Sequence, residues 1–184
     1  LIESYKEEIN RKNLREYPQS IFIVGMPRSG STLLESILSM SNDVYDLGEI
    51  NILEASFLDL NKSNKDINLA EIYEEKVNSK TELNITTNKN LYNYQFAGII
   101  ASQIPNAKII HCFRHPLDNI LSIYRTHFAK GNQYSSSLVD CARVYLDQEE
   151  IMSKYKNQFQ SKIYDLNYDL LVSHPTQEIK SLIF

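Results

Sequence analysis

One stretch constrains the chain more than any other: Ile21-Phe22-Ile23-Val24-Gly25-Met26-Pro27-Arg28-Ser29-Gly30-Ser31-Thr32-Leu33-Leu34. Four apolar, mostly β-branched residues run into a turn carrying two glycines, and an apolar helical pattern (Leu33, Leu34, Ile37, Leu38) follows at once. This predicts a buried strand over about 21–25, a tight loop and a helix over about 31–40. A loop of this kind aims several backbone N–H groups, and the positive end of the helix dipole, at one point. That arrangement suits a phosphate.

The spacing Gly25-x-x-x-x-Gly30-Ser31-Thr32 nearly matches the nucleotide-binding P-loop, but Ser31 stands where that motif requires Lys. Arg28, inside the loop, supplies the positive charge instead. Without the Lys that reaches the β/γ-phosphates, triphosphate cleavage is disfavoured, whereas anion cradling survives.

The remaining pattern alternates strands and helices. Val44–Glu49 is an extended segment that turns at Gly48 into a helix over about 50–60, and Ile85–Lys89 is a short strand with Lys89 at its exit. Residues 61–83 read as a surface excursion with one exposed helix over about 67–79. A helix over 91–103 ends before Pro105. Ala107–Phe113 is the clearest second buried strand and exits at Arg114-His115-Pro116, with Pro116 suited to a first helical turn. In that helix Leu117, Ile120, Leu121, Tyr124 and Phe128 form the expected core stripe, while Asp118, Ser122 and Arg125 share another face. A long helix over 136–159, a strand over 163–168 and helical segments at 169–171 and 175–184 complete the chain.

This order predicts an α/β fold, three-layer α/β/α with a mainly parallel central sheet. In such sheets ligands sit beyond the carboxyl ends of the strands. Glu49, just past one such end, is therefore placed to face the cleft, and Arg114 and Ser122 can converge on one side of it. Residues 1–19 are expected to form an N-terminal helix, the end of a preceding helical region, and residues 20–184 one domain. Leu1 and the apolar ending at Phe184 read as a piece of a longer chain.

Composition excludes several classes. A net charge of −4 on 184 residues gives no overall field to recruit nucleic acid or an anionic membrane, so any anion site must be local. Cys112 and Cys141 are too few for a disulfide framework and lack metal spacing, as do the 4 histidines, so no metal site is expected. Unpaired cysteines fit a reducing cytoplasm. No apolar run approaches the roughly 18 residues that a membrane span needs.

Three stretches resemble one family in the right order. Pro27-Arg28-Ser29-Gly30-Ser31-Thr32 is similar to the 5′-phosphosulfate loop of sulfotransferases that use PAPS (3′-phosphoadenosine 5′-phosphosulfate). Arg114-His115-Pro116-Leu117-Asp118-Asn119-Ile120-Leu121-Ser122 looks like their 3′-phosphate segment, and Tyr168-Asp169-Leu170-Leu171 like their Tyr-Glu-Asp-Leu segment. The resemblance runs from about 20 to 184. It is closest to bacterial sulfotransferase domains related to tyrosylprotein sulfotransferases.

The resemblance implies a P-loop NTPase-like sulfotransferase fold and transfer of a sulfuryl group from PAPS to a hydroxyl acceptor, with PAP as the product. The acceptor could be a peptide tyrosine, a sugar or a small molecule. The resemblance also implies that Glu49 is the base, that Lys89 and Arg28 act on the transferring group, and that Pro27, Arg28, Ser29, Gly30, Ser31 and Thr32 hold the 5′-phosphosulfate. Arg114 and Ser122 would hold the 3′-phosphate. Many relatives carry Asp before the Lys, where this chain has Asn88, and Arg-Asp-Pro where it has Arg114-His115-Pro116. The family's C-terminal loop that closes over the nucleotide has no counterpart before Phe184. A P-loop kinase or NTPase, and a non-catalytic nucleotide-binding relative, stand as the alternatives.

Overall fold

The computed structural model describes residues 19–62, 67–128 and 131–183. Of the helix expected over residues 1–19, residues 1–18 lie outside them, and Gln19 already belongs to the first strand. Strand β1 (Gln19–Gly25) is the hub of the sheet. Ile21-Phe22-Ile23-Val24 has no polar face to offer water, so it is stable only between two neighbouring strands and under two helical layers. It pairs in parallel with β3 (Ile85–Asn88) on one side and β4 (Ala107–Phe113) on the other. Outer strands β2 (Val44–Asp46) and β5 (Ile163–Asn167) extend the sheet to the order β2-β3-β1-β4-β5, every pair parallel.

Eight α-helices are found among the described residues: α1 (Ser31–Leu38), α2 (Ile52–Lys62), α3 (Leu69–Asn78), α4 (Ala97–Gln103), α5 (Pro116–Tyr124), α6 (Leu138–Gln158), α7 (Tyr168–Ser173) and α8 (Pro175–Ile183). They cover both faces. Phe22, Val24 and Ile109 pack under α2, α3, α4 and α6, whereas Ile23, Ile110, Cys112 and Leu166 face Leu34 of α1 and Leu171 of α7. Alternation along a strand thus feeds two cores, and each fully buried side chain contributes about 1.5–3 kcal/mol. A third cluster, Met26, Ile123, Cys141 and Tyr145, seals the carboxyl edge where the loop after β1 leaves the sheet.

Four expectations need correction. The segment over 67–79 is helical but not an exposed excursion: Leu69, Ile72, Tyr73 and Val77 of α3 are buried, with the Tyr73 ring packed at a tilt against Phe22, centroids 5.4 Å apart. Its charged residues mask an apolar set at helical spacing, and a capping box between Asn68 and Glu71 starts it. Residues 91–103 begin as a 3₁₀ turn (Leu91–Phe96) before α4. On α5 the stripe lies on another face: Leu117, Leu121 and Tyr124 are exposed, and the buried residues are Asn119 and Ile123. Asn119 is drawn inward by a loop carbonyl, described below. On α1, likewise, Leu33 is exposed and Glu35 is buried.

Candidate active site

Register places the candidate residues. Gly25 pairs with Cys112 and Phe113 with Asn167, so β1, β4 and β5 end side by side, and the segments beginning at Met26, Arg114 and Tyr168 emerge together. Gly25 is required by that proximity: a Cβ there would lie 2.2 Å from the Cys112 carbonyl oxygen, at φ +137°. The turn is then tied down from within and from outside. Ser29 Oγ donates to the Met26 carbonyl at 2.7 Å, and the buried Asn119 Nδ2 donates to the Pro27 carbonyl at 2.9 Å. Arg28 holds the left-handed conformation, φ 67°, which costs a non-glycine residue about 1 kcal/mol. Its exposed side chain turns towards α5, where Nε donates to Ser122 Oγ at 3.2 Å. Ser31 is buried and Thr32 exposed at the start of α1.

On the other side of β1, the β2–β3 pairing continues past the strands. Leu47 N–H donates to the Thr87 carbonyl and Lys89 N–H to the Gly48 carbonyl, which sets Glu49 and Lys89 next to each other. Asn88 is buried; its Nδ2 donates to the Ile50 carbonyl and its Oδ1 accepts from Asn93 Nδ2, so it braces the turn. The Lys89 ammonium, on a side chain only 8% exposed, donates to Glu49 Oε1 at 2.7 Å and to Thr32 Oγ1 at 3.4 Å. It also lies 3.4 Å from Glu35 Oε2 of α1. Burial alone would push this ammonium down, but its bond to Glu49 and the charge of Glu35 hold it above the usual lysine range. The Glu49 side chain is 72% exposed, whereas that of Glu35 is buried.

Arg114 leaves β4 with its guanidinium 5.0 Å above the Tyr168 ring and its Nε 3.7 Å from Asp169 Oδ1. That Nε is buried and has no hydrogen-bond partner among the described residues. Asp169 Oδ2 accepts from the His115 N–H at 3.0 Å, and Tyr145 of α6 donates to the Arg114 carbonyl at 3.3 Å. The same Tyr168 ring covers Gly30, where a Cβ would meet it at 2.2 Å. Gly30, Tyr168 and Arg114 are therefore stacked in sequence, and the loop and the Arg114 turn form one continuous border. No hydrogen bond joins Arg114 to Ser122. Each meets the loop separately, Ser122 through Arg28 and Arg114 through Tyr168.

Sequence reasoning singled out neither Glu35, Asn119 nor Tyr145. The only trace of Glu35 is its spacing of three from Thr32, which puts both on one helical face. Asn119 leaves no trace, because its partner is a backbone carbonyl 92 residues away. Chemically, two cations (Arg28, Lys89), a hydroxyl (Thr32) and an exposed carboxylate (Glu49) surround the mouth of an anion-cradling turn, with a third cation, Arg114, along its rim. Such a set can bind a multiply charged anion and take a proton beside it.

Comparison with known proteins gives the family. A model of the sulfotransferase family matches residues 18–71 and 54–183, and the chain belongs to that family. It is 29% identical over 203 residues to an uncharacterized protein of Aquifex aeolicus (strain VF5), covering 96% of this chain. The chain spans only 27% of that relative's length. In fold it is similar to the sulfotransferase STF1 of Mycobacterium tuberculosis H37Rv, with a TM-score of 0.58 at 12% identity over 96% of this chain and 69% of that one. It is also similar to shikimate kinase of Bacteroides thetaiotaomicron, with a TM-score of 0.50 at 15% identity over 90% of this chain and 98% of that one. At such identities the likeness shows the fold alone.

Proposed function

We propose that this domain transfers a sulfuryl group from PAPS to a hydroxyl acceptor, with Glu49 as the base. One observation carries the reading. The two segments suited to anions, 27–32 and 114–122, share one border through the Arg28–Ser122 hydrogen bond and the Gly30–Tyr168–Arg114 stack. A donor charged at both ends matches a border with cations at both ends.

The residues fit that substrate. The turn at 27–32 offers backbone N–H groups and Arg28 to the 5′-phosphosulfate, and Arg114, whose Nε makes no hydrogen bond among the described residues, offers a fork of donors to the 3′-phosphate. Ser122 adds a hydroxyl on the same side. Arg28 and Lys89 stabilise negative charge as the bond between sulfur and the phosphate oxygen breaks. Glu49 accepts the acceptor's proton as the acceptor oxygen bonds to sulfur, and lies 2.7 Å from a cation that leaves it when drawn to the transferring group. Positioning and charge supply most of the catalysis in such in-line transfers.

The kinase-like fold raises nucleoside triphosphate chemistry as the rival, but Ser31 occupies the position of the Lys which that chemistry requires. Calorimetry with PAP on wild type and Arg114→Ala tests the assignment. A loss of about tenfold or more is expected for one charge-assisted contact. Equal affinity removes Arg114 from the 3′-phosphate.

A further inference from the structure

We propose that Glu35, buried on α1, is a positioning residue of this site, fixing the Lys89 ammonium at the mouth of the loop. The inference rests on the sulfuryl-transfer reading for its consequence, though not for its geometry. An ammonium has three donors. Lys89 donates to Thr32 Oγ1 and Glu49 Oε1, at 3.4 and 2.7 Å, and is ion-paired with Glu35 Oε2 at 3.4 Å. These partners differ in kind. Thr32 is neutral, and Glu49 lies on an exposed turn and must release the ammonium to take a proton. Glu35 alone is both anionic and buried, with a side chain 7% exposed. It is too enclosed to meet an acceptor, so it acts through Lys89. Helix α1 delivers Thr32 and Glu35 on one face, at a spacing of three, so the hydroxyl and carboxylate are set by one rigid element.

The charge balance supports a switch. Three carboxyls approach this ammonium's surroundings: Glu35 from α1, Asp46 from β2 and Glu49 from the turn after β2. Burial, and then Asp46 beside it, push the Glu35 carboxyl up to about 7, against the pull of Lys89. Its other oxygen, Oε1, is buried with no hydrogen-bond partner among the described residues. Below that pH Glu35 is neutral and the ammonium is left to Glu49, which ties up the base. Above it Glu35 is charged and shares the ammonium, and Glu49 is freed. Turnover therefore rises as the pH passes through about 7.

The test compares wild type, Glu35→Gln and Glu35→Asp by two independent readouts. The first is the ¹⁵N resonance of the Lys89 ammonium in the ligand-free chain between about pH 5 and 9. The second is turnover of labelled PAPS with a simple phenol, alongside PAP affinity. The Lys89 resonance is expected to shift with a midpoint near 7 in wild type, and to lose that transition in Glu35→Gln. A misplaced catalytic group costs about 10²-fold, so kcat of Glu35→Gln should fall by about that factor, with PAP affinity held within about twofold and the acid limb gone. Glu35→Asp should restore part of the limb. Identical titration of Lys89 in wild type and Glu35→Gln overturns the inference, as does an unchanged kcat–pH profile. PAP binding by wild type judges the transfer reading separately, and the ligand-free resonance decides the role of Glu35 whether or not PAP binds.

Discussion

Arg28 Nε donates to Ser122 Oγ at 3.2 Å, joining residues 94 positions apart. The contact exists because β1 and β4 are parallel neighbours with Gly25 opposite Cys112, so the loop leaving one strand overhangs the helix leaving the other. It is made by a residue in the left-handed region, where glycine would be at ease. A local cost held at a cleft is the mark of a side chain retained for what it does.

Arg28→Gly separates the two roles. Removing the left-handed strain should leave the fold as stable or more stable, by up to about 1 kcal/mol, in a thermal melt. The same substitution should weaken PAP binding and lower kcat by about 10²–10³, the usual effect of losing one preorganised donor. A variant that is destabilised but fully active would refute the assignment.

Gly30 carries the second link. At φ +86°, with Tyr168 Cδ2 2.2 Å from where a Cβ would stand, Gly30→Ala must push the ring that supports Arg114. PAP affinity should fall by at least tenfold, more than the backbone cost explains. Gly48→Ala is the control: its φ is +65° but nothing lies within 4 Å, so it bears only the conformational cost of about 1–2 kcal/mol. Calorimetry on the pair checks this, and equal affinities for both variants would break the proposed link.

Much of this border was legible in the sequence because its signals are local. The β-branched run 21–24 and the glycine spacing located β1 and its loop, and Arg114-His115-Pro116 marked the end of β4 together with the first turn of α5. Glu49 and Lys89 could each be placed at a strand exit, but their 2.7 Å contact depends on β2 and β3 being neighbours. Illegible were the residues whose partners are distant backbone or a different layer. Periodicity on α5 gave the right spacing and the wrong face, because Asn119 follows the Pro27 carbonyl rather than hydropathy. On α3 the charged residues hid a buried face that includes Tyr73. Glu35 was hidden for the opposite reason: a carboxylate within an apolar helix reads as its exposed side until Lys89 is seen beneath it.

Glu49→Gln tests the base. General-base catalysis contributes about 10²–10⁴ in rate, and turnover of labelled PAPS should fall accordingly while PAP affinity changes by less than about twofold. The Glu49 side chain is 72% exposed and Lys89 keeps Glu35 as a second carboxylate, so the lost ion pair should shift the melting point little. Full activity in Glu49→Gln would remove it from the mechanism.

Glu35 should also leave a mark on stability. Its carboxyl titrates near 7 when folded and near 4.5 when unfolded, so between these values the folded chain binds the extra proton. Proton linkage then makes stability fall as pH rises through that window. The unscreened penalty above pH 7 is about 3 kcal/mol at most, and water at the cleft mouth reduces it to about 1–2 kcal/mol. Asp165 works in the opposite sense: burial raises it, but His111 and Lys156 hold it below the ordinary carboxylate range, and its contribution is lost only in stronger acid. Chemical denaturation of wild type and Glu35→Gln at pH 5 and pH 8 isolates the contribution of Glu35 and the groups coupled to it, Asp46 and Lys89, since groups away from it cancel in the difference between the two slopes. Wild type should lose about 1–2 kcal/mol more than Glu35→Gln on going from the lower to the higher pH. Parallel slopes would mean that Glu35 is already ionised at pH 5, and that the proposed grip on Lys89 does not switch near neutrality.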